Sequence, residues 1–170
     1  MSVDTEFTAY AAARAQRLRD TAYLLCGDWH AAQDLTQATL VKLYGAWKRV
    51  ERSESIDAYA RQVMLRTFLD SRRLKRSTER PVADVPEGAA PVGGDPALRL
   101  TLLAALARLP INRRAVLVLR FWEDQSVEAT AEAMGLSVSA VKSLTQRALA
   151  ELREVLRDDT ALAELDFLLV

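Results

Sequence analysis

Four of the chain's five prolines and three of its six glycines fall within residues 81–96. Pro81, Pro86, Pro91 and Pro96 alternate there with Gly88, Gly93 and Gly94. A stretch punctuated this way cannot run as helix or strand. It therefore predicts a flexible linker between an N-terminal domain, residues 1–80, and a C-terminal domain, residues 97–157, with a tail over 158–170. A flexible linker of this length has an r.m.s. span of about 20–25 Å, so the two blocks can sit apart on one extended partner.

Both blocks read as helical. Of the 170 residues, 28 are alanine and 26 leucine, both strong helix formers. Apolar residues recur at helical spacing over Glu6–Leu25 (Phe7, Tyr10, Ala11, Leu18, Ala22, Leu25) and over His30–Trp47 (Leu40, Leu43, Tyr44, Trp47). They recur again over Ile56–Arg76 (Ile56, Tyr59, Ala60, Val63, Leu65, Leu69), while the polar run 48–55 predicts a loop. Beyond the linker, Asp95 caps and Pro96 opens a helix to Arg108, with Leu98, Leu102, Ala105, Leu106 and Leu109 inward. A second helix is expected over Asn112–Trp122. Ser126 caps a short helix to Met134, and Ser137 caps a long one over Val138–Arg157. Trp29, Trp47 and Trp122 are expected in the core. The fold class is all-α: two small helical domains, the C-terminal one containing a helix-turn-helix.

Composition excludes several functions. One cysteine (Cys26) and one histidine (His30) rule out a disulfide framework and a His/Cys metal site. No phosphate loop or nucleophile–base pair is present, so neither an enzyme nor a cofactor is expected. No apolar run reaches the ~18 residues that span a membrane. The acidic start MSVDTEF lacks a secretion signal, so a cytoplasmic protein is expected.

Formal net charge is zero, but its distribution is uneven. Residues 48–80 carry ten basic against five acidic groups, and 138–157 four against two. Clustered Lys and Arg displace counterions from phosphates, which suits a nucleic-acid partner. The tail 158–170 holds four acids beside Leu162, Leu165, Phe167, Leu168, Leu169 and Val170. So many apolar groups are expected to pack on a domain or a partner.

Residues 126–147, SVEATAEAMGLSVSAVKSLTQR, have the grammar of a helix-turn-helix. Ala131 is small where two helices meet, Gly135 supplies the turn, and Val141 and Leu144 anchor the second helix. Opposite the inward stripe Val141, Leu144, Ala148, Leu149 and Leu152 stand Ser139, Lys142, Ser143, Gln146 and Arg147. No acid lies between Ser137 and Ala150. Such a face can read base edges and phosphates in a major groove, and the helix start at Ser137 offers free N–H groups to a phosphate.

Residues 106–156, with LP…RAVLVLRFWED.S…A..MG.S…VKS…RAL..LR, resemble the C-terminal DNA-binding region of bacterial extracytoplasmic-function sigma factors. Residues 31–47 look like that family's core-polymerase-binding helix, and 56–76 like its promoter-melting helix. The resemblance covers residues 5–157. It implies a subunit that docks on core RNA polymerase through the β′ clamp helices and the β subunit, and reads two elements of promoter DNA. Asp34 and Gln37 would face the clamp helices. An acidic residue is usual where Ala38 stands. Arg66, Arg72, Arg73, Lys75 and Arg76 would contact DNA at the −10 element, although Arg66 replaces a usual asparagine. Tyr59 stands where tryptophan is typical and is expected in the core. The loop 48–55 would capture a flipped base, which needs a pocket that replaces lost stacking. Ser137, Ser139, Lys142, Ser143, Gln146 and Arg147 would read the −35 element. The resemblance also implies an anti-sigma factor as a partner.

The alternative is a helix-turn-helix regulator that never binds polymerase core. Such a regulator needs a sensor or dimerisation domain, whereas residues 1–80 read as a basic helical block.

Overall fold

The computed structural model describes residues 2–53, 55–75 and 95–158, without the side chains of Arg73, Leu74 and Lys75. Arg76, the predicted linker up to residue 94 and the tail beyond Asp158 lie outside the described residues. The chain forms two compact units, Met1–Pro86 and Glu87–Val170. Every regular element among the described residues is helical.

The first unit holds α1 (Val3–Cys26), α2 (Trp29–Gly45), a short α3 (Trp47–Val50) and α4 (Ile56–Lys75). Ser2 caps α1 by accepting from the Thr5 amide. Gly27, at φ 70°, ends it, and the Gly27 amide donates to the Tyr23 carbonyl. Asp28 then caps α2 through the Ala31 amide at 2.8 Å. Two caps on adjacent residues fold the chain back in a single turn, and α1, α2 and α4 pack on one another. Their shared core is Leu18, Ala22, Leu24, Leu25, Ala32, Leu35, Leu43, Trp47, Val50, Ala60, Met64, Leu65 and Phe68.

Several expectations change here. The predicted loop 48–55 begins as helix, because Trp47 and Val50 are apolar and buried. The Trp47 ring meets Phe7 at 5.3 Å and Tyr10 at 5.4 Å. Met64 and Phe68, not Val63 and Leu69, fill the centre of α4, since its inward line runs 60–64–68. Tyr44 points outward. Trp29 and Trp122 are half-buried, leaving Trp47 alone of the three in the core. Tyr59 is also half-buried, capped by the Arg49 guanidinium 5.7 Å from its ring.

The second unit holds α5 (Pro96–Arg108), α6 (Ile111–Leu117), a π-helical turn (Val118–Trp122), α7 (Val127–Met134) and α8 (Val138–Asp158). Asp95 accepts from the Ala97 amide at 3.0 Å, with Pro96 in the first turn, as expected. Leu98 is exposed rather than inward, and Leu103 takes its place in the core. α5, α6 and α7 all pack on α8. Arg114 is buried, and its Nη2 donates to the carbonyls of Ala107 and Leu109 at 2.8 and 3.1 Å. Those carbonyls end α5, so the cation satisfies groups the helix leaves open.

The helix expected over Asn112–Trp122 does not stay α-helical. Residues 114–119 are all buried, more than one face of an α-helix can turn inward. The chain widens by one residue per turn, and the Glu123 amide donates to the Val118 carbonyl. Phe121 is thereby left exposed, and Asp124 takes the left-handed conformation at φ 51°.

Candidate nucleic-acid interface

The turn between α7 and α8 is built by local chemistry. Ser126 accepts from the Ala129 amide at 3.0 Å and starts α7. Gly135 ends it at φ 66°. Open space surrounds Gly135, so a side chain there would suffer backbone strain, not a clash. The Leu136 amide reaches back to the Ala131 carbonyl at 2.9 Å, and Ala131 is buried between the helices. Ser137 then accepts from the Ala140 amide at 3.1 Å and lies 3.2 Å from the Ser139 hydroxyl. Ser137 thus spends its oxygen on capping α8.

Val141 and Ala148 are buried, and Leu144, Leu149 and Leu152 are half-buried. Ser139, Lys142, Ser143, Gln146 and Arg147 are all exposed on the opposite side. At 100° per residue they share an arc of about 140°. Arg113 pairs with Glu151, fastening α6 to α8 further along. The structure therefore brings the six expected −35 residues together: five on one open face and Ser137 at its start.

In the first unit, Asp34 and Gln37 lie exposed on α2, one turn apart. Two exposed apolar residues missed in the sequence, Val41 and Tyr44, continue their line. Their helical spacing from Gln37 was the available signal. The Tyr44 hydroxyl donates to Asp4 Oδ1 at 2.6 Å, and this bond raises its pKa above the ordinary tyrosine value.

On α4, Arg66 is exposed and Arg72 half-buried. Arg72 Nη2 donates to the Cys26 carbonyl at 3.2 Å, and the guanidinium lies 5.5 Å from the Phe68 ring centre. Helical register sets Arg73 nearly under Arg66, seven residues on, and Arg72 about 120° round from that line. Arg73 and Lys75 lie within the helix, while Arg76 falls outside the described residues.

Near the start of α4, Tyr10 donates to Asp57 Oδ1 at 2.8 Å, and Arg14 pairs with the same carboxylate at 3.0 Å. Burial, then the bond to Asp57, pushes the Tyr10 hydroxyl well above the usual tyrosine range. No group of three or more His, Cys, Asp or Glu among the described residues could hold a metal ion, and no described helix is long and apolar enough to cross a membrane.

Comparison with known proteins agrees with this layout. Sigma-70 region 2 matches residues 6–78, and Sigma-70 region 4 matches residues 99–152. An RNA polymerase sigma-E factor of Streptomyces coelicolor is 40% identical over 155 residues, covering 89% of this chain and 86% of that protein. That of Streptomyces avermitilis is 39% identical, with 89% and 85% covered. Among solved structures, the sigma factor RpoE of Bartonella quintana, in complex with the anti-sigma factor NepR, has the same fold. Its TM-score is 0.73 at 24% identity, covering 91% of this chain and 98% of that one. CnrH, in complex with the cytosolic domain of CnrY, follows at a TM-score of 0.64 and 21% identity, with 92% and 91% covered. With two regions matched in order and such identity along nearly its whole length, the chain belongs to the extracytoplasmic-function sigma factors of RNA polymerase, which are transcription initiation factors rather than enzymes.

Proposed function

We propose that the two units divide promoter recognition between them. The first docks on core polymerase through Asp34 and Gln37 of α2. It contacts the −10 element through Arg66, Arg73 and Lys75 of α4 and through Arg76, the next residue in the chain, with Arg72 shared between that surface and the fold. The second reads the −35 element through Ser139, Lys142, Ser143, Gln146 and Arg147, with phosphate approach at the Ser137 end of α8. The observation that carries this reading is the face of α8 behind the Gly135 turn: five exposed polar or basic residues on one arc, with no acid between Ser137 and Ala150. A merely solvated helix face mixes both signs of charge.

The protein works in the cytoplasm, where polymerase and promoter DNA are found. An anti-sigma factor is a further partner in this proposal, tested by a pull-down from cell extract. Run-off transcription tests the whole reading. Purified core enzyme with this subunit gives a promoter-specific transcript that core alone does not. Without that transcript, the division of labour falls, and the regulator that never engages core polymerase takes its place.

A further inference from the structure

The open side of α8 runs further than its DNA-reading residues. Ala150, Arg153, Glu154 and Arg157 are exposed as well. At 100° per residue all four fall within the arc of about 140° that holds Ser139 to Arg147. One exposed strip therefore runs the length of α8 with four cations, Lys142, Arg147, Arg153 and Arg157, against one acid, Glu154. Arg153 and Arg157 have no part in the −35 reading. Where α8 begins, Leu136 is 40% and Val138 37% exposed. From Asp158 backwards the strip is thus first basic, then basic and polar, and finally apolar.

Twelve residues follow Asp158 in the chain, beyond the described residues: DTALAELDFLLV. They hold three acids, Asp159, Glu164 and Asp166, and no base, and close on the apolar run Phe167, Leu168, Leu169 and Val170. Laid antiparallel to α8, that order matches the strip, with acids along the arginines and Lys142 and the apolar run at Val138 and Leu136. An extended segment of this length spans up to about 40 Å, and α8 from Asp158 back to Val138 is about 30 Å long. The difference leaves room for the chain to reverse. A tether this short holds segment and strip at roughly millimolar effective concentration, so individually weak contacts suffice.

We propose that residues 159–170 fold back along α8 in the free protein and cover the face that reads the −35 element. Promoter DNA and the tail then compete for Lys142 and Arg147, and phosphates displace the acids. Arg153 and Arg157 hold the tail rather than DNA. The same contact takes the apolar run out of water. The inference rests on the reading of this face as a DNA reader, and adds a device that closes it from within the same chain.

The test measures affinity of the full chain for a short random-sequence DNA duplex at low salt, with thermal unfolding as a control. Phosphate contacts supply that affinity whatever the sequence. Phe167→Ser/Leu168→Ser keeps the charge and releases the tail. If the cover is closed about nine-tenths of the time, release tightens DNA binding about tenfold. Arg153→Gln/Arg157→Gln tightens it too, by about threefold or more, the opposite sign to that expected when two cations are removed from a phosphate-binding surface. With the tail already released by Phe167→Ser/Leu168→Ser, the arginine pair gives no further gain. Unchanged affinity of Phe167→Ser/Leu168→Ser, or weaker binding by Arg153→Gln/Arg157→Gln, overturns the cover; a weakened Lys142→Ala/Arg147→Ala in the same assay leaves the DNA-reading face intact. If Lys142→Ala/Arg147→Ala binds as the parent does, both alone and with the tail released, the face reads no DNA and the inference falls with it. A gain that depends on protein concentration, alongside self-association of the parent, assigns the tail to α8 of a second copy and also overturns the proposal.

Discussion

Arg72 Nη2 donates to the carbonyl of Cys26 at 3.2 Å, joining the end of α4 to the last residue of α1. The acceptor is one of the carbonyls a helix leaves open at its C-terminus, and the donor is a guanidinium that also lies near the Phe68 ring. Arg72 therefore sets the end of α4 against α1, on a different side of the helix from Arg66 and Arg73. Arg72→Gln is expected to destabilise the protein by about 1–2 kcal/mol, the range for a charge-assisted bond with partial exposure. It should flatten the salt dependence of promoter binding less than Arg73→Gln does. Arg73→Gln should do the reverse, with little loss of stability and a log–log salt slope flatter by about one unit. Chemical denaturation and a salt titration of binding separate the two.

The core of the first unit is most sensitive at Phe68, which is 1% exposed. Phe68→Ala removes a full ring where α4 meets its neighbours and is expected to cost about 3–5 kcal/mol. Met64→Leu, close in volume at a site as buried, should cost less than about 1.5 kcal/mol. A urea midpoint that shifts equally for both would show that this centre is loosely packed.

Tyr10 links stability to high pH. Its folded pKa is raised above the ordinary tyrosine value of about 10, mainly by burial and then by the bond to Asp57. A raised pKa means that the folded chain keeps a proton the unfolded chain gives up. The contribution is thus complete below pH 10 and is lost as pH rises above it towards the folded value. Tyr10→Phe should show a shallower alkaline fall in unfolding free energy between pH 9.5 and about 11. Tyr23 and Tyr44, both also raised, leave a residual slope.

The features legible in the sequence are those decided within a few residues. Asp95 with Pro96, Ser126, Gly135 and Ser137 form the expected caps and turn, because each side chain or φ angle answers to its own neighbours. The open face of α8 was legible for a similar reason: helical period alone separates Lys142 and Arg147 from Val141 and Ala148. The unforeseen features depend on distant partners. Trp47 and Val50 make a helix of an expected loop only because Phe7 and Tyr10 wait beside Trp47. The π-helical turn answers to six consecutive buried residues, in a stretch that packs against α7 and α8. Nor does the sequence reveal that Arg72 has a carbonyl partner 46 residues away. Val41 and Tyr44 do stand at readable spacing, but only exposure in the folded unit distinguishes them from core residues.

Lys142 and Arg147 carry the sharpest expectation for DNA. Both are exposed on α8 beside Ser143 and Gln146, and no acid competes for them along the first half of the helix. Their cations can reach guanine O6 and N7 or a phosphate. If one contacts a base edge, its replacement by alanine costs about 1–3 kcal/mol and relaxes preference at one position of the −35 element; if it contacts a phosphate, all sequences weaken alike and the salt slope flattens by about one unit. The double variant Lys142→Ala/Arg147→Ala should therefore lose transcription from the cognate promoter while keeping its affinity for core polymerase, since both substitutions lie in the second unit and the proposed docking residues in the first. Gly135→Ala provides an independent check on the same helix. It forces a left-handed φ on a residue with a Cβ, a strain of about 1 kcal/mol, and should weaken promoter recognition through the angle at which α8 is presented. Full promoter activity in the double variant, with core binding intact, would show that the open face of α8 does not read DNA.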